Sequence, residues 1–318
     1  MQGSKKEVIF PKHFDGKRFY NPNAPQASGL LNVLRWKLKS RSEKSPKFVD
    51  DVRQVVPVRR LEGNGLRSTL VNHSTVLLQD RRFNILTDPI WSERTSPFSW
   101  IGPQRHRKPG IAFESLPALD AVLISHNHYD HLDLPTLRRL ASAQKTIFVV
   151  PSRLARFLLT QNIGPVQELD WGESFSFEGF TVHCVPALHF SARGAGDRNK
   201  TLWCGYVIET QERIIYFAAD TAYGPHFTQI REKFGSPQLA LLPIGAYAPR
   251  WFMSPVHMSP EEAIRAHQDL DAQTSIAIHH GTFQLADEGI DTPKDHLTAV
   301  GKPDNFVVLA NGESVDIA

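Results

Sequence analysis

The chain has 318 residues, a formal net charge of +3 and a composition that is ordinary for a globular protein. This length can bury a sizeable core as one large domain or two modest ones. No stretch approaches the roughly 20 apolar residues of a membrane span, and Met1–Lys6 lacks the apolar segment of a secretory signal, so we expect a cytoplasmic protein.

Positive charge is concentrated near the N-terminus. Residues 1–60 contain 14 Lys and Arg against 5 Asp and Glu, so the rest of the chain is net acidic. This asymmetry indicates either an anionic partner surface or a solvated tail.

A basic helix is predicted over Leu30–Lys39, followed along the chain by a region with little regular pattern. One face of this helix consists of Leu30, Leu31, Leu34 and Leu38. Trp36 falls off that face, so the apolar stripe is imperfect. The helix would either lie on an anionic membrane surface or dock on the body of the protein.

From about residue 66 the sequence changes to short apolar runs typical of strands. A meander is predicted from Ser68–Asn72, Ser74–Leu78 and Phe83–Leu86. Asp88 follows it and either orients a metal-binding histidine or caps the turn before Pro89. Residues 92–118, rich in Pro, Arg and aromatic residues, are predicted as a long loop.

Four candidate metal ligands lie within six residues, and they are His126, His128, Asp130 and His131. Leu119–Ile124 is predicted as a buried strand before them, and a helix is predicted from Leu134, with Asp133 as its N-cap and Pro135 in its first turn. In an extended loop His126 and His128 point the same way and can bind one ion, whereas Asp130 and His131 lie beyond a bend and can reach a second.

Imidazole and carboxylate groups suit zinc, and less selectively iron or manganese. The alternative interpretation of this run is a polar surface cluster or a set of hydrogen-bonded core histidines. An apolar strand seldom ends in several adjacent imidazoles without a use for them, which favours the metal site.

Strands and helices alternate in the second half of the chain. Strands are predicted over residues 146–150, 180–186, 202–210, 213–219, 239–244, 275–278 and 305–309. One helix is predicted to open at Ser152, and another to run from the capping box at Ser259 to about Leu270. Cys184 and Cys204 lie in two of these strands and are expected to be reduced core residues.

Three further candidate ligands stand at strand ends. His189 follows the strand at 180–186, Asp220 ends the strand at 213–219, and His279 ends the strand at 275–278. The remaining histidines, such as His73, are interpreted as structural.

The His-x-His-x-Asp-His run after a strand, with those three later residues in order, resembles the metallo-β-lactamase superfamily. The resemblance implies an α/β (α+β) fold, a four-layer αββα sandwich, with the hydrolase domain at 66–318. Residues 1–65 would then be a basic extension that packs on the core or on a membrane. It also implies two Zn²⁺ ions per chain, with Fe or Mn as alternatives. By this resemblance His126, His128 and His189 hold one ion, Asp130, His131 and His279 hold the other, and Asp220 bridges them.

The loops are similar to one branch of that superfamily, the N-acyl-phosphatidylethanolamine-hydrolysing phospholipases D and their bacterial relatives. The matching stretches include Asp88–Ile90, Gly102-Pro103, His126–Asp133, Glu168–Trp171, Asn199–Trp203, Pro243–Tyr247, Pro249–Met253, Pro260–Ala263 and Gly281–Phe283. His280 departs from the branch, which often has Trp there, and so does Val256, where the mammalian enzyme has a polar amide. These departures concern the lipid head group more than the reaction.

The same resemblance places His257 in the active site, where it would steer or protonate the leaving alkoxide; the alternative is a solvated histidine beside a helix. Asp130 would act in proton transfer as well as in metal binding. The substrate-binding residues would be Tyr247, Arg250, Trp251, Phe252 and Met253. The aromatic members suit acyl chains, or they are ordinary core.

The resulting prediction is a phospholipase D-type phosphodiesterase that cleaves N-acyl-phosphatidylethanolamine or a related phospholipid through a metal-bound hydroxide. The alternatives are a hydrolase of a soluble lactone or cyclic phosphodiester, and a non-enzymatic membrane-associated scaffold. The expected partners are the phospholipid and an anionic membrane, and a homodimer is compatible with the sequence. No nucleic-acid partner is expected.

Overall fold

Two seven-stranded sheets face each other across an apolar layer. The computed structural model describes residues 12–194 and 196–317, apart from the side chain of Leu30. Met1–Lys6 and the rest of the first eleven residues of the predicted extension lie outside these ranges.

The first sheet is antiparallel at one side and parallel at the other. Its strands, in spatial order, are β14 (Ser314–Ile317), β1 (Leu66–Asn72), β2 (Thr75–Gln79), β3 (Asn84–Thr87), β4 (Ala121–Leu123), β5 (Ile147–Pro151) and β6 (Val166–Leu169). The change to parallel pairing occurs between β3 and β4, so their carboxyl ends lie side by side.

The second sheet is likewise mixed. Its strands, in spatial order, are β13 (Phe306–Val307), β12 (Ser275–Ile278), β11 (Leu239–Pro243), β10 (Ile214–Phe217), β9 (Gly205–Glu209), β8 (Phe180–Val185) and β7 (Ser174–Phe177). Strands β10 to β13 are parallel, so β10, β11 and β12 end at the same edge.

The helices are α1 (Leu30–Lys39), α2 (Leu134–Ala143), α3 (Ala155–Thr160), α4 (His226–Phe234), α5 (Arg250–Met253), α6 (Pro260–Leu270) and α7 (Thr292–Ala299). Successive strand residues face opposite sides, so β2 directs Leu78 between the sheets and Leu77 outward, into the layer that contains α2 and α3. In β11, Leu241 faces inward and Leu242 packs in the layer of α4, α6 and α7. The predicted four-layer αββα sandwich is therefore confirmed.

Most elements predicted around the candidate site are present. The α1 and β12 bounds match the prediction, α6 carries the predicted capping box, and Cys184 and Cys204 are free and buried. The prediction that Ser152 opens a helix is wrong, because α3 begins at Ala155. Asp133 does precede α2, but its carboxylate accepts hydrogen bonds from Ser92 and Thr136 rather than capping the helix backbone.

Helix α1 docks on the body, but through the face opposite to its leucines. Trp36 stacks on Phe252 at 5.0 Å between ring centroids, and its indole N–H donates to Asp287 at 3.0 Å. Leu31 and Leu38 are 82% and 87% exposed and Leu34 is 53% exposed, so these three leucines of the stripe face away from the body. An indole can bury its ring and still satisfy its N–H, which explains why Trp36 forms the contact. Within the described residues, no helix is both long and apolar enough to cross a bilayer.

The ends of the strands bring the candidate ligands to one edge of the sandwich. The segments after β4, β8, β10 and β12 carry His126, His189, Asp220 and His279. Several residues there have left-handed backbone conformations that side chains other than glycine seldom adopt. They are His73 (φ 47°), Asp88 (φ 33°), Ala219 (φ 52°), Ala246 (φ 59°) and His279 (φ 60°). Such conformations concentrate at sites where the surrounding structure holds them in place.

The capping box of α6 generates a stability prediction. Ser259 accepts from the Glu262 N–H, and Glu262 accepts in return from the Ser259 N–H at 3.0 Å. We expect Ser259→Ala to lower the free energy of unfolding by about 1 kcal/mol, because a backbone N–H loses its acceptor. Urea denaturation measures the change. Ser142→Ala, on an exposed part of α2, is the control, and equal stability of both variants would contradict the prediction.

Candidate metal centre

All seven residues predicted as metal ligands converge at the sandwich edge. Six of them are buried, and His128 is partly exposed. Four groups of described side chains form whose nitrogen and oxygen atoms able to bind metal lie within 4.8 Å of one another. Two of these groups hold all the predicted ligands except Asp220, and the other two join Asp88 to His126 and His131, and Asp220 to His189 and His257. The first group contains His126, His128 and His189, and the second contains Asp130, His131, His279 and His73.

Asp220 lies between the two groups. One of its carboxylate oxygens is 3.6 Å from His189 Nε2 of the first group. The same oxygen is 3.2 Å from both His131 Nε2 and His279 Nε2 of the second. A carboxylate in this position can bind ions in both groups at once.

Hydrogen bonds behind the imidazoles fix which nitrogen faces the cluster. His189 Nδ1 lies 2.9 Å from the Val256 carbonyl, which can only accept, so His189 carries its proton on Nδ1. His131 Nδ1 donates in the same way to Asp88 at 2.7 Å. Both rings therefore turn Nε2 toward the cluster, as metal-binding histidines do. The interpretation of Asp88 as a carboxylate that orients a histidine fits this contact.

Ser125 orients the ring of His126. Its hydroxyl donates to Asp88 at 2.6 Å and so can accept from His126 Nδ1 at 2.8 Å. His126 Nε2 then points at His128 Nδ1, 2.8 Å away. Asp88 thus reaches both groups, one directly and one through Ser125.

The first group is a set of neutral imidazoles. Burial lowers the pKa of His128 to about 3 and that of His189 to about 4. Burial, followed by the neighbouring His131, also holds the pKa of His126 well below its usual range. These rings therefore offer lone pairs rather than charge at neutral pH.

The second group attracts positive charge. Burial opposes protonation of His279, but Asp220 and Asp130 outweigh it and raise its pKa to about 9. The pKa of His131 is likewise raised well above its usual range despite burial, by Asp220, Asp130 and Asp88. Two buried carboxylates close together need cationic partners, which can be protons or metal ions.

Unsatisfied atoms test whether the residues fit metal ions. His131 Nε2, His279 Nε2 and Asp220 Oδ1 are buried and make no hydrogen bond of normal geometry among the described residues, although both nitrogens lie 3.2 Å from Asp220 Oδ2. Imidazole nitrogens and carboxylate oxygens are the donors that divalent transition metals bind, and a metal ion would replace the protons on His131 and His279. The donor set therefore fits metal ions in both groups.

His73 is a member of the cluster that the sequence interpretation assigned to structure. Its Nε2 lies 3.0 Å from Asp130 Oδ2, and its ring centroid lies 4.2 Å from that of His279. Its carbonyl accepts from the His279 N–H at 2.9 Å. A signal was present in the sequence, because His73 lies in the turn between the first two predicted strands, and the next strand along the chain ends just before Asp88.

A cavity of about 300 Å³ opens beside the cluster. Its polar lining consists of Ser28, His128, Asp130, Arg198, Asp220 and His257. Its apolar lining consists of Ala27, Val33, Trp36, Phe190, Ala246, Phe252, Met253, Val256 and Leu285. His257 Nδ1 is buried, lies 3.9 Å from Asp220 Oδ2 and has no hydrogen-bond partner among the described residues. His257 therefore belongs to the cluster, beside His189 and Asp220, rather than to solvent.

The five residues predicted to bind substrate occupy different places. Phe252 and Met253 line the cavity. Arg250 lies behind it, where it donates to the His257 carbonyl at 2.9 Å and to Glu262 at 2.8 Å, and so holds the His257 loop. Trp251 is 49% exposed beside α1. The Tyr247 hydroxyl lies 3.1 Å from His296 Nδ1, outside the cavity lining.

Arg198 is the one Lys or Arg in the cavity lining. It donates to the carbonyls of Ala27 and Ser28 at 2.8 and 2.9 Å. Its guanidinium carbon lies 5.0 Å from the ring centroid of Phe190, which in turn is 4.6 Å from that of His128. In the described part of the chain it forms no ion pair, and burial lowers its pKa. No sequence pattern singled it out.

Comparisons with known proteins agree with this geometry. Residues 83–280 match the beta-lactamase superfamily domain. The chain is 36% identical to N-acyl-phosphatidylethanolamine-hydrolyzing phospholipase D 1 of Caenorhabditis elegans, over 94% of this chain and 92% of that protein. It is 38% identical to an uncharacterized protein of Mycobacterium tuberculosis, over 90% of this chain and 78% of that one.

A likeness in fold extends to more distant proteins. The isothiocyanate hydrolase from Delia radicum gut bacteria superposes with a TM-score of 0.63 over 78% of this chain and 98% of that one, at 21% identity.

The contact between His73 and Asp130 generates a prediction. We expect His73→Leu to lower the affinity for divalent metal roughly 10- to 100-fold. The substitution removes the hydrogen bond that orients Asp130, and it removes an imidazole from the second group. Competition of the purified protein with a chromogenic chelator measures the affinity.

His73→Gln, which can still donate to Asp130, should lose less, and this comparison guards against a simple packing defect. The matched control is His183→Ala, which changes a partly buried histidine on β8. Metal binding by His73→Leu at the affinity of the unsubstituted protein would exclude a role for His73.

Proposed function

The chain belongs to the metallo-β-lactamase superfamily, and from that premise we propose that it is a dinuclear zinc phosphodiesterase of the phospholipase D type. Its substrate would be N-acyl-phosphatidylethanolamine or a related phospholipid. The observation that carries the proposal is a convergent His and Asp cluster that opens into a mostly apolar cavity. The similarity to the C. elegans phospholipase D over nearly its full length supports the substrate class.

The two groups of donors define where metal would be held. His126, His128 and His189 would hold one zinc ion, Asp130, His131 and His279 the other, and Asp220 would contact both. The same donors accept iron or manganese. Bound ions would supply Lewis acidity toward phosphoryl oxygens and would lower the pKa of a coordinated water to ~7.

The protein's own residues orient and move protons around this centre. Asp130 is fixed by His73 at 3.0 Å and borders the cavity, so it can accept a proton from an attacking water. His257 is neutral, because burial holds its pKa well below its usual range. A neutral imidazole at this position would donate a hydrogen bond to the leaving alkoxide, which would take up the proton that Asp130 accepts from the attacking water.

Different parts of the cavity wall suit different parts of a phospholipid substrate. Val33, Trp36, Phe252, Met253 and Leu285 form an apolar wall suited to an acyl chain. Arg198 adds a cation to the cavity lining, beside the Phe190 ring that packs on His128. A guanidinium that has no carboxylate partner among the described residues favours an anionic substrate such as a phosphodiester over a neutral lactone.

The two alternatives remain testable against this proposal. A soluble cyclic phosphodiester would also use the cluster and Arg198, but it would leave the apolar wall without a ligand. A scaffold would need neither the buried neutral donors nor the cavity, and unsatisfied buried polar groups are destabilising unless they are used.

Replacement of Asp130 tests the enzyme assignment. We expect Asp130→Asn to remain folded and to lose turnover of N-acyl-phosphatidylethanolamine by roughly 10²-fold or more, since a proton acceptor is removed. Metal analysis of the purified protein, coupled to hydrolysis of a panel of phospholipids and lactones, is the measurement. Asp304→Asn, at an exposed position, is the control.

Three results would count against the proposal. Turnover of lactones alone would replace it with the soluble-substrate alternative. Equal phospholipid turnover by Asp130→Asn would remove Asp130 from the reaction. Unchanged cellular function of an inactive Asp130→Asn protein would favour the scaffold.

Replacement of Arg198 tests the preference for an anionic substrate. We expect Arg198→Gln to raise the KM for bis(p-nitrophenyl) phosphate roughly tenfold, because a charge-assisted hydrogen bond is lost. The KM for p-nitrophenyl acetate, which is uncharged, should not change. Arg198→Lys should be intermediate, and Arg231→Gln, at an exposed ion pair, is the control. An equal loss on both substrates would mean that Arg198 only holds residues 27 and 28 in place.

A further inference from the structure

The outer face of α1 is an apolar stripe without a partner in the described part of the chain. Leu31, Leu34 and Leu38 are spaced as one helical face and are 82%, 53% and 87% exposed. Large apolar side chains grouped on one face and exposed in this way mark an interaction surface.

The inner face of the same helix forms part of the cavity wall. Val33 and Trp36 line the cavity, and Trp36 is held by Phe252 and Asp287. Trp251, also exposed, lies beside the helix, with the Arg35 guanidinium 5.3 Å from its ring centroid. Helix α1 therefore lies between the cavity, on its inner side, and the partner of its leucine face, on its outer side.

The charged side chains of α1 itself are all positive. Arg35, Lys37, Lys39 and Arg41 are exposed on and just after α1. Between residues 30 and 47, Glu43 is the only acidic residue, and its carboxylate is turned to the body, where it accepts from the Gly289 and Thr292 hydrogen-bond donors. The surface complements a partner that is apolar inside and anionic at its edge.

We propose that Leu31, Leu34 and Leu38 of α1 insert into the interfacial region of an anionic bilayer, with the flanking lysines and arginines on its head groups. Helices of this composition lie in the plane of the membrane surface. The proposal rests on the proposed function only in identifying the bilayer as the source of the substrate. A phospholipid would then enter the cavity past Trp36, along the helix that holds the protein on the membrane.

A second copy of the chain is a weaker fit to the same surface. A two-fold interface places the same patch of both subunits together. Arg35, Lys37 and Lys39 of one copy would then face the same cations of the other, and like charges disfavour such an interface.

Vesicle flotation tests the proposal without any need for turnover. The probes are vesicles of phosphatidylcholine alone and of phosphatidylcholine mixed with phosphatidylglycerol. The protein should bind the mixed vesicles and release them as salt rises, since the head-group contacts are electrostatic. The triple variant Leu31→Glu/Leu34→Glu/Leu38→Glu should bind roughly tenfold less or weaker still, because charged side chains do not insert.

Two matched controls separate this surface from general effects. Leu159→Glu changes a leucine on α3 that is 57% exposed, close to the 53% of Leu34, and this variant should bind as the unsubstituted protein does. All variants should hydrolyse bis(p-nitrophenyl) phosphate at the unsubstituted rate, which shows that the cavity is intact. Lys37→Glu/Lys39→Glu should lose binding mainly at low salt.

Three outcomes would overturn the proposal. They are vesicle binding by the triple variant that equals that of the unsubstituted protein, a loss of binding in Leu159→Glu as large as in the triple variant, or a dimer in solution that the triple substitution alone dissociates. Vesicle binding through α1 by a protein that cleaves no phosphodiester would instead refute the proposed function and leave this surface standing.

Discussion

The central constraint on the structure is a buried cluster of histidines and carboxylates at the edge of the two sheets. Asp220 lies within 3.6 Å of three imidazoles, from segments that follow β4, β8 and β12. Buried carboxylates and lone pairs are destabilising unless cations or hydrogen bonds compensate them. The left-handed backbone at His73, Asp88 and His279 is held in place around the same cluster, so the strain and the chemistry coincide.

Contacts behind the cluster fix the orientation of its side chains. The parallel pairing of β3 and β4 brings Asp88 beside Ser125, and from there Asp88 reaches His131 directly and His126 through the serine hydroxyl. The loop carrying His257 is held by Arg250, which is anchored in turn to Glu262 of the α6 capping box. Rotamers of the metal-facing side chains are therefore set by the sheet and helix framework.

Helix α1 joins the cavity to the surface of the molecule. Its two faces have opposite uses: an indole and a valine toward the cavity, and leucines with flanking cations toward the outside. The sequence pattern identified the helix and its leucine face correctly. It could not say which face contacts the body, because that depends on residues far away in the sequence. Trp36 docks since Phe252 and Asp287 lie opposite it.

The sequence by itself determined the parts of the fold that depend on local patterns. The dense His126–His131 run, the strand before it, the capping box at Ser259 and the αββα architecture follow from spacing, strand alternation and family resemblance. Only the tertiary structure decided which remote residues enter the site. His73 and Arg198 are separated from the motif by long stretches of chain, and Tyr247 and Arg250, close to the site in sequence, turn to other partners. Local residue patterns identify each strand and where it ends. The distance between two strand ends depends instead on how the strands pair across the whole sheet.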